Sequence, residues 1–244
     1  MTSPHKSLTK IDANLFLRDD IASIWAGHDP FDAAIAQQGE IFRDKEGRRT
    51  LRFFANGRGY FLKLHQGIGW REVFKNLLQL RLPILGATTE YRAIRALEQL
   101  HIDTLTIAAF GCRGANPATQ LSFLVTDELT EIESLEDFCA RWTKVPPAFT
   151  LKRKLIERIA SITRTLHDAG INHRDYYLCH FLLDVSTPVT EKNVETRRLH
   201  LMDLHRAQVR TRVPRRWRIK DIGALYYSAL DIGLTKRDLL RFMR

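Results

Sequence analysis

The chain of 244 residues has no uninterrupted apolar run of the roughly twenty residues that a membrane-spanning helix needs. Its first twenty residues intersperse Lys6, Lys10, Asp12, Arg18, Asp19 and Asp20 among apolar ones, so they contain no secretory apolar block. Cysteine is scarce: Cys112, Cys139 and Cys179 are scattered and odd in number, which argues against a disulfide framework and fits a reducing cytoplasm. Internal repeats, low-complexity tracts and an obvious linker are also missing. Acidic residues are outnumbered, 28 against 38 basic ones, and the net charge of +10 makes an anionic partner the natural expectation. Hydrophobic residues make up 44% of the chain, enough for a substantial core in one large or two-lobed domain.

Patterning divides the chain in two. Residues 1 to 38 carry no clear signature beyond Trp25 and Phe31 near a Gly27-His28-Asp29-Pro30 turn. Glu40 to Asp44, Thr50 to Ala55 and Tyr60 to Leu64 read as short strands joined by turns at Lys45-Glu46-Gly47 and Asn56 to Gly59. Gly69 to Arg81 has helical apolar spacing, and after a Pro83 to Gly86 break a second helix is expected to run from Thr88 or Thr89 to about Leu100. Two further strands, Thr104 to Phe110 and Gln120 to Val125, complete an expected five-stranded antiparallel sheet with one main helix. The second half is mostly helical: Leu155, Ile159, Ile162 and Leu166 line one face of a long helix that Gly170 ends. Phe181 to Asp184 and Leu199 to Asp203 are its strands, and Asp221 to Ala229 and Thr235 to Phe242 its later helices. The expectation is an α+β, two-lobed fold, about 1–127 and 128–244, with one shared cleft.

Four charged residues stand out in this frame. His173-Arg174-Asp175 lies between the long helix and an apolar strand, the context of the kinase catalytic loop, where an Asp orients the acceptor hydroxyl. Asp203 ends the next strand, where Asp-Phe-Gly places a metal-binding carboxylate. Lys63 is on the third strand, sharing a face with Phe61 and opposite Tyr60, Leu62 and Leu64. Glu90 falls on the apolar stripe of the following helix, with Ala93, Ile94 and Leu97; a carboxylate there needs a cation, and Lys63 is the natural candidate. Taken singly, each has an ordinary alternative: a solvated turn at Asp175 or Asp203, an exposed strand lysine, a dipole-complementing Glu90.

With these residues in order, the sequence resembles the lipopolysaccharide core heptose(I) kinase family of Gram-negative bacteria, whose fold is protein-kinase-like. The resemblance rests on Tyr60-Phe61-Leu62-Lys63-Leu64, Thr89-Glu90-Tyr91, the block His173 to Leu183 with its Cys179-His180-Phe181 tail, and Leu201 to Ala207, and it spans roughly residues 40 to 230. It implies transfer from ATP, with Mg2+, to the first heptose of the lipopolysaccharide inner core by a protein peripheral to the cytoplasmic face of the inner membrane. By position, His180 replaces the metal-binding Asn of the catalytic loop; it either ligates metal or hydrogen-bonds Asp175 or Asp203. No Gly-x-Gly-x-x-Gly precedes Lys63, so Gly47 with Arg48 and Arg49 must cover the phosphates by side chains. Phe61 stands where a small residue adjoins adenine. The polar stretch Ser186 to Arg198 reads as an inserted hairpin, and no Ala-Pro-Glu follows Asp203.

Arg174 and, between Asp203 and Asp221, Arg210, Arg212, Arg215 and Arg216 are candidates for binding an acceptor rich in acidic sugars and phosphate; a solvated basic loop is the alternative for the run. The Gly69 to Arg81 helix, carrying Trp70 and Phe74 against Arg71, Lys75 and Arg81, suits an anionic membrane surface or its own lobe equally. The positive charge also admits an acidic protein such as acyl carrier protein; nucleic acid is not expected. Rival readings are a kinase-fold enzyme for another small molecule or protein, a non-catalytic basic module on a kinase scaffold, and a zinc site drawn from His167, His173, Cys179, His180, His200 and His205.

Overall fold

Alternation of apolar and polar residues builds the first sheet. On β5 (Arg58–Gln66) Tyr60, Leu62 and Leu64 are buried, and β4 (Arg48–Ala55) contributes Leu51 and Phe53 to the same core. The structure is a computed structural model describing residues 8–12, 14–45, 47–67, 86–116 and 119–244. The Gly69 to Arg81 helix expected from the sequence lies outside them.

The chain folds as two compact units, Met1–Tyr91 with Thr106–Glu128 and Arg92–Leu105 with Leu129–Arg244. In the first, β1 (Leu8–Asp12), β2 (Leu15–Arg18), β3 (Glu40–Lys45), β4, β5, β6 (Ile107–Arg113) and β7 (Leu121–Asp127) form one sheet in the order β1-β2-β6-β7-β5-β4-β3. All its neighbouring strands are antiparallel. Among the described residues the sheet thus has seven strands rather than five. The extra pair comes from the segment that carried no signature, because Leu15, Phe16 and Leu17 are too few to announce a strand until β6 pairs with them.

The helices α1 (Asp19–Ile24) and α2 (Pro30–Ala36) bring Ile21, Trp25, Phe31 and Ala34 into the core formed by Leu51, Tyr60, Leu62 and Phe123. Trp25 and Phe31 both meet the Phe123 ring edge-on, at 5.4 and 5.1 Å between centroids. Gly111 is required beneath them, since a Cβ there would run into the Phe123 ring. Under β5 the Tyr60 hydroxyl donates to Asp20, which with Asp127 brackets the buried Arg18. Burial opposes the Asp20 charge, but Arg18 and Tyr60 outweigh it and hold that carboxyl down at about 2.

The division between units falls within α3 (Thr88–Gln99). The segment after that helix is tied to the second unit: Thr104 Oγ1 donates to the Leu201 carbonyl at 2.7 Å, and Leu201 N–H to the Asp103 carbonyl. These bonds explain why the strand expected from Thr104 begins only at Ile107.

The second unit is built on α5 (Phe149–Asp168), whose buried Leu155, Ile159 and Leu166 form the expected stripe. It also contains β8 (Ile132–Ser134), α4 (Leu135–Ala140), β9 (Ile171–Asn172), β10 (Phe181–Asp184), β11 (Leu199–Leu201), β12 (Gln208–Val209), α6 (Arg215–Ser228) and α7 (Lys236–Met243). The strands pair as β11-β10-β8 and β12-β9. Gly170 ends α5 at φ +82°, and a Cβ there would overlap the Arg210 carbonyl. Residues 186–198 link β10 to β11 through hydrogen-bonded turns around Thr190 and Asn193, without the added ladder of the expected hairpin. α6 begins six residues before the expected Asp221, so the basic run from Arg215 is helical and not a loop.

Candidate active site

In the first unit, Lys63 Nζ lies 2.6 Å from Glu90 Oε1. The strand places it: Tyr60, Leu62 and Leu64 take the core face, leaving Phe61 and Lys63 on the other. Glu90, in the first turn of α3, is only 2% exposed and its partner's side chain 23%, so the carboxylate has been taken from water and depends on this cation. Tyr91, beside it, stacks on Phe110 at 3.9 Å and on Phe16 at 5.7 Å, which fixes the start of α3 on the sheet.

The β3–β4 turn has Gly47 at φ +69°, its carbonyl accepting from Gln66 N–H at 2.7 Å. Register pairs Arg48 with His65 and Arg49 with Leu64. Arg48 therefore shares the Lys63 face, whereas Arg49 belongs to the opposite one and donates to the Ile35 carbonyl at 3.2 Å. The expectation that both arginines serve the phosphate-covering turn fails for Arg49, because strand alternation separates consecutive side chains. Phe61 meets Phe42 at 5.6 Å on that Lys63 face.

In the second unit, the His173-Arg174-Asp175 segment is held from several sides. Asp221, 1% exposed on α6, accepts the backbone N–H of His173 at 2.9 Å and of Arg174 at 2.8 Å, and faces His167 Nε2 at 3.1 Å. This pull holds Arg174 at φ +78°, a conformation side chains other than glycine rarely adopt. The Tyr176 hydroxyl lies 2.9 Å from Thr163 Oγ1 on α5. Burial pulls His173 below the ordinary imidazole value, so its neutral ring donates Nε2–H to the Met202 carbonyl at 2.9 Å, linking the loop to the segment before Asp203.

Asp175 Oδ1 accepts from Arg206 Nη1 at 2.7 Å, with the carboxylate side chain 17% exposed. His180 bridges the two aspartates: Nδ1–H donates to the Asp175 carbonyl at 2.6 Å, and Nε2 lies 3.5 Å from Asp203 Oδ2. Because a carbonyl only accepts, Nδ1 carries a proton, and in the neutral ring the Nε2 lone pair is then the one that meets the carboxylate. Two electron-pair donors turned toward one another can share a cation. Asp203 itself is left-handed at φ +60° and is bonded by His205 Nδ1. Among the described residues, no three His, Cys, Asp or Glu side chains gather as a metal cluster. Of the histidines considered for zinc, His200 goes to the Thr104 carbonyl and His167 to Asp221.

Of the acceptor candidates, Arg174, Arg210 and Arg216 collect around the Trp217 ring at 4.9, 5.9 and 5.5 Å, joined by Lys220 at 4.8 Å. Arg212 and Arg215 are exposed and not part of this group. Sequence reasoning assigned no role to Asp221, Arg206 or Trp217. An aspartate one residue before Ile222-Gly223 within a helix was the available signal for Asp221, and it is a weak one.

Residues 32–244 match the lipopolysaccharide kinase (Kdo/WaaP) family. The lipopolysaccharide core heptose(I) kinase WaaP of Pseudomonas aeruginosa is 52% identical over 230 residues, covering 94% of this chain and 85% of that protein. The protein of the same name from Escherichia coli K12 is 49% identical over 228 residues, covering 93% and 85%. A solved structure, WaaP in complex with acyl carrier protein, superimposes with a TM-score of 0.82 at 47% identity, covering 94% of this chain and 87% of that one. The α+β fold is accordingly kinase-like.

Proposed function

This chain belongs to the lipopolysaccharide kinase (Kdo/WaaP) family, and on that premise we propose that it phosphorylates the first heptose of the lipopolysaccharide inner core, using ATP, at the cytoplasmic face of the inner membrane. The observation that carries the reading is the chemistry of the two built pairs, Lys63 with Glu90 and Asp175 with Arg206. In kinases these are the phosphate-orienting cation and the acceptor-orienting carboxylate.

ATP, when bound, supplies the phosphoryl group, and a magnesium ion would neutralise its charge. The donor set fits such an ion: magnesium prefers carboxylate oxygen and completes its shell with water and phosphate, so Asp203 would be the main protein ligand and His180 Nε2 a softer second. Lys63, fixed by Glu90, presents its ammonium to the phosphates, and Gly47 with Arg48 covers them. Asp175 orients the acceptor hydroxyl and takes its proton; Arg206, bound to Oδ1, fixes the carboxylate's rotation. His180 ties the Asp175 backbone to Asp203, so base and metal ligand are placed together. Catalysis here is positioning and charge neutralisation.

Two partners belong to the same reading. The net charge of +10 suits an anionic inner-membrane surface, and no helix of the described residues is long and apolar enough to cross a membrane. Acyl carrier protein is the second, supported by the solved relative and by a cavity of about 300 Å³ in the second unit. That cavity is walled by Leu155, Ile159, Leu225, Leu239, Phe242 and Met243, a lining suited to an acyl chain.

The direct test is phosphate transfer from radiolabelled ATP to core lipopolysaccharide lacking its heptose phosphate, with free sugars and peptides as competing acceptors. Label in the lipopolysaccharide alone is expected; label only in sugar or peptide would overturn the acceptor assignment. Bound acyl carrier protein is sought by mass spectrometry of the purified protein, and an Ile159→Trp variant, which fills the cavity, is expected to lose it.

A further inference from the structure

Four cations around one indole need an explanation that stability does not supply. Arg174, Arg210, Arg216 and Lys220 all lie within 6 Å of the Trp217 ring centre, and like charges so placed repel one another. Carboxylates near them are already engaged. Asp175 is held by Arg206, Asp168 by Arg218, and Asp221 by two backbone N–H groups and His167. Arg210 reaches only the neutral Gln208 side chain, and among the described residues none of the four cations meets a carboxylate. Burial, followed by the neighbouring Arg206 cation, draws the Arg174 guanidinium below its ordinary value against the opposing pull of Asp175 and Asp221.

Two donors in the cluster lack acceptors as well. Trp217 Nε1 and Arg174 Nε are both closed off from water, and neither has a hydrogen-bond partner among the described residues. Covered donors of this kind are costly, and they gain a partner when a neighbouring side chain swings aside to admit an acceptor atom. Arg216 and Lys220, both exposed, are the side chains on the solvent side of the ring. Arg174 is the residue next to Asp175, so the cluster adjoins the proposed base along the chain.

We propose that this cluster is an oxyanion subsite, centred on Trp217, that seats a carboxylate or phosphate carried by the acceptor glycan. Planar guanidinium groups and an indole N–H match the oxygens of such a group, and the aromatic plane accepts the sugar to which it is attached. Only the molecule bearing the anion is taken from the kinase reading; the anion site stands on the cluster itself.

The test has two parts. Without nucleotide, inorganic phosphate titrated into the full chain is expected to change indole fluorescence saturably. The change should vanish in Trp217→Phe, which keeps an aromatic ring but removes the N–H, and its midpoint should rise about tenfold or more in Arg216→Gln/Lys220→Gln, a pair of exposed changes that spares the fold. A non-saturable response in the unaltered chain, or the same response in Trp217→Phe, overturns the site whatever the enzyme's substrate.

In the kinase assay, the double variant is expected to raise the acceptor KM about tenfold or more while the ATP KM stays put. Acceptor with its carboxylates amidated, and acceptor stripped of its remaining phosphates, identify the source: the modification that raises KM in the unaltered chain and adds nothing in the double variant names the bound group. If neither modification matters, or the variant leaves acceptor KM unchanged, the assignment to the acceptor is wrong. A saturable phosphate response alongside failure of lipopolysaccharide as substrate would keep the site and discard the kinase reading.

Discussion

The two units position their charged residues by different means. In the first, a ladder does it: β5 alternates, so Lys63 is aimed by the burial of Tyr60, Leu62 and Leu64 on the other face, and Glu90 meets it from α3. In the second, loops carry Asp175 and Asp203, and both aspartates depend on bonds from elsewhere. Asp221 grips the backbone at His173 and Arg174, His173 reaches Met202, and His180 joins Asp175 to Asp203. A ladder tolerates the loss of one side chain, because its register is shared by many residues. A loop held in left-handed conformations at Arg174 and Asp203 depends on individual hydrogen bonds.

The largest expected effect tests the loop side. Asp175→Asn keeps the shape but cannot take a proton, and turnover should fall on the order of a thousandfold with circular dichroism unchanged. Retained turnover would remove Asp175 from its role. On the ladder side, Lys63→Ala leaves Glu90 buried without its cation. Allowing for the partial exposure of Lys63, it should lower stability by about 2–3 kcal/mol in urea titrations and raise the ATP KM. Lys63→Ala/Glu90→Gln should recover most of the stability but none of the ATP affinity; recovery of both would show that the pair is purely structural.

Acid sharpens the comparison, since each unit holds a carboxyl whose pairing lowers it strongly. Asp20 in the first and Asp238 in the second are both lowered from an ordinary 3.8 to about 2, the latter through Lys152 and Thr235 against the opposing effect of burial. A lowered folded-state value means that the stabilisation is complete above the unfolded value and disappears as pH falls from about 4 to about 2, on the order of 2 kcal/mol for each group. Urea titrations over that window should show a shallower loss in Asp20→Asn, and separately in Asp238→Asn. The smallest effect is Thr235→Ala, which opens the capping box at the start of α7 and should cost about 1 kcal/mol.

Legibility follows the same division. Short-range alternation exposed the face of Lys63, and the apolar stripe of α3 exposed the misfit of Glu90, because both signals are complete within a few residues. His173-Arg174-Asp175 was legible as a motif between a helix and a strand. Asp221 was not, because its partners are backbone groups almost fifty positions away and no side-chain pattern announces them. β2 escaped for a related reason: three apolar residues become a strand only when β6 supplies the hydrogen bonds. The basic run was visible as charge, but its place around an indole was not.

By itself the sequence determined the family, the kinase-like α+β class, the face of Lys63 on its strand and the identity of the charged groups, all of which depend on composition and local period. Only the tertiary structure decided that Arg49 turns to α2, that His180 links one aspartate's backbone to the other's carboxylate, that Asp221 braces the loop and that four cations surround Trp217. Such contacts join residues far apart along the chain, and their geometry exists only once the backbone has closed around them.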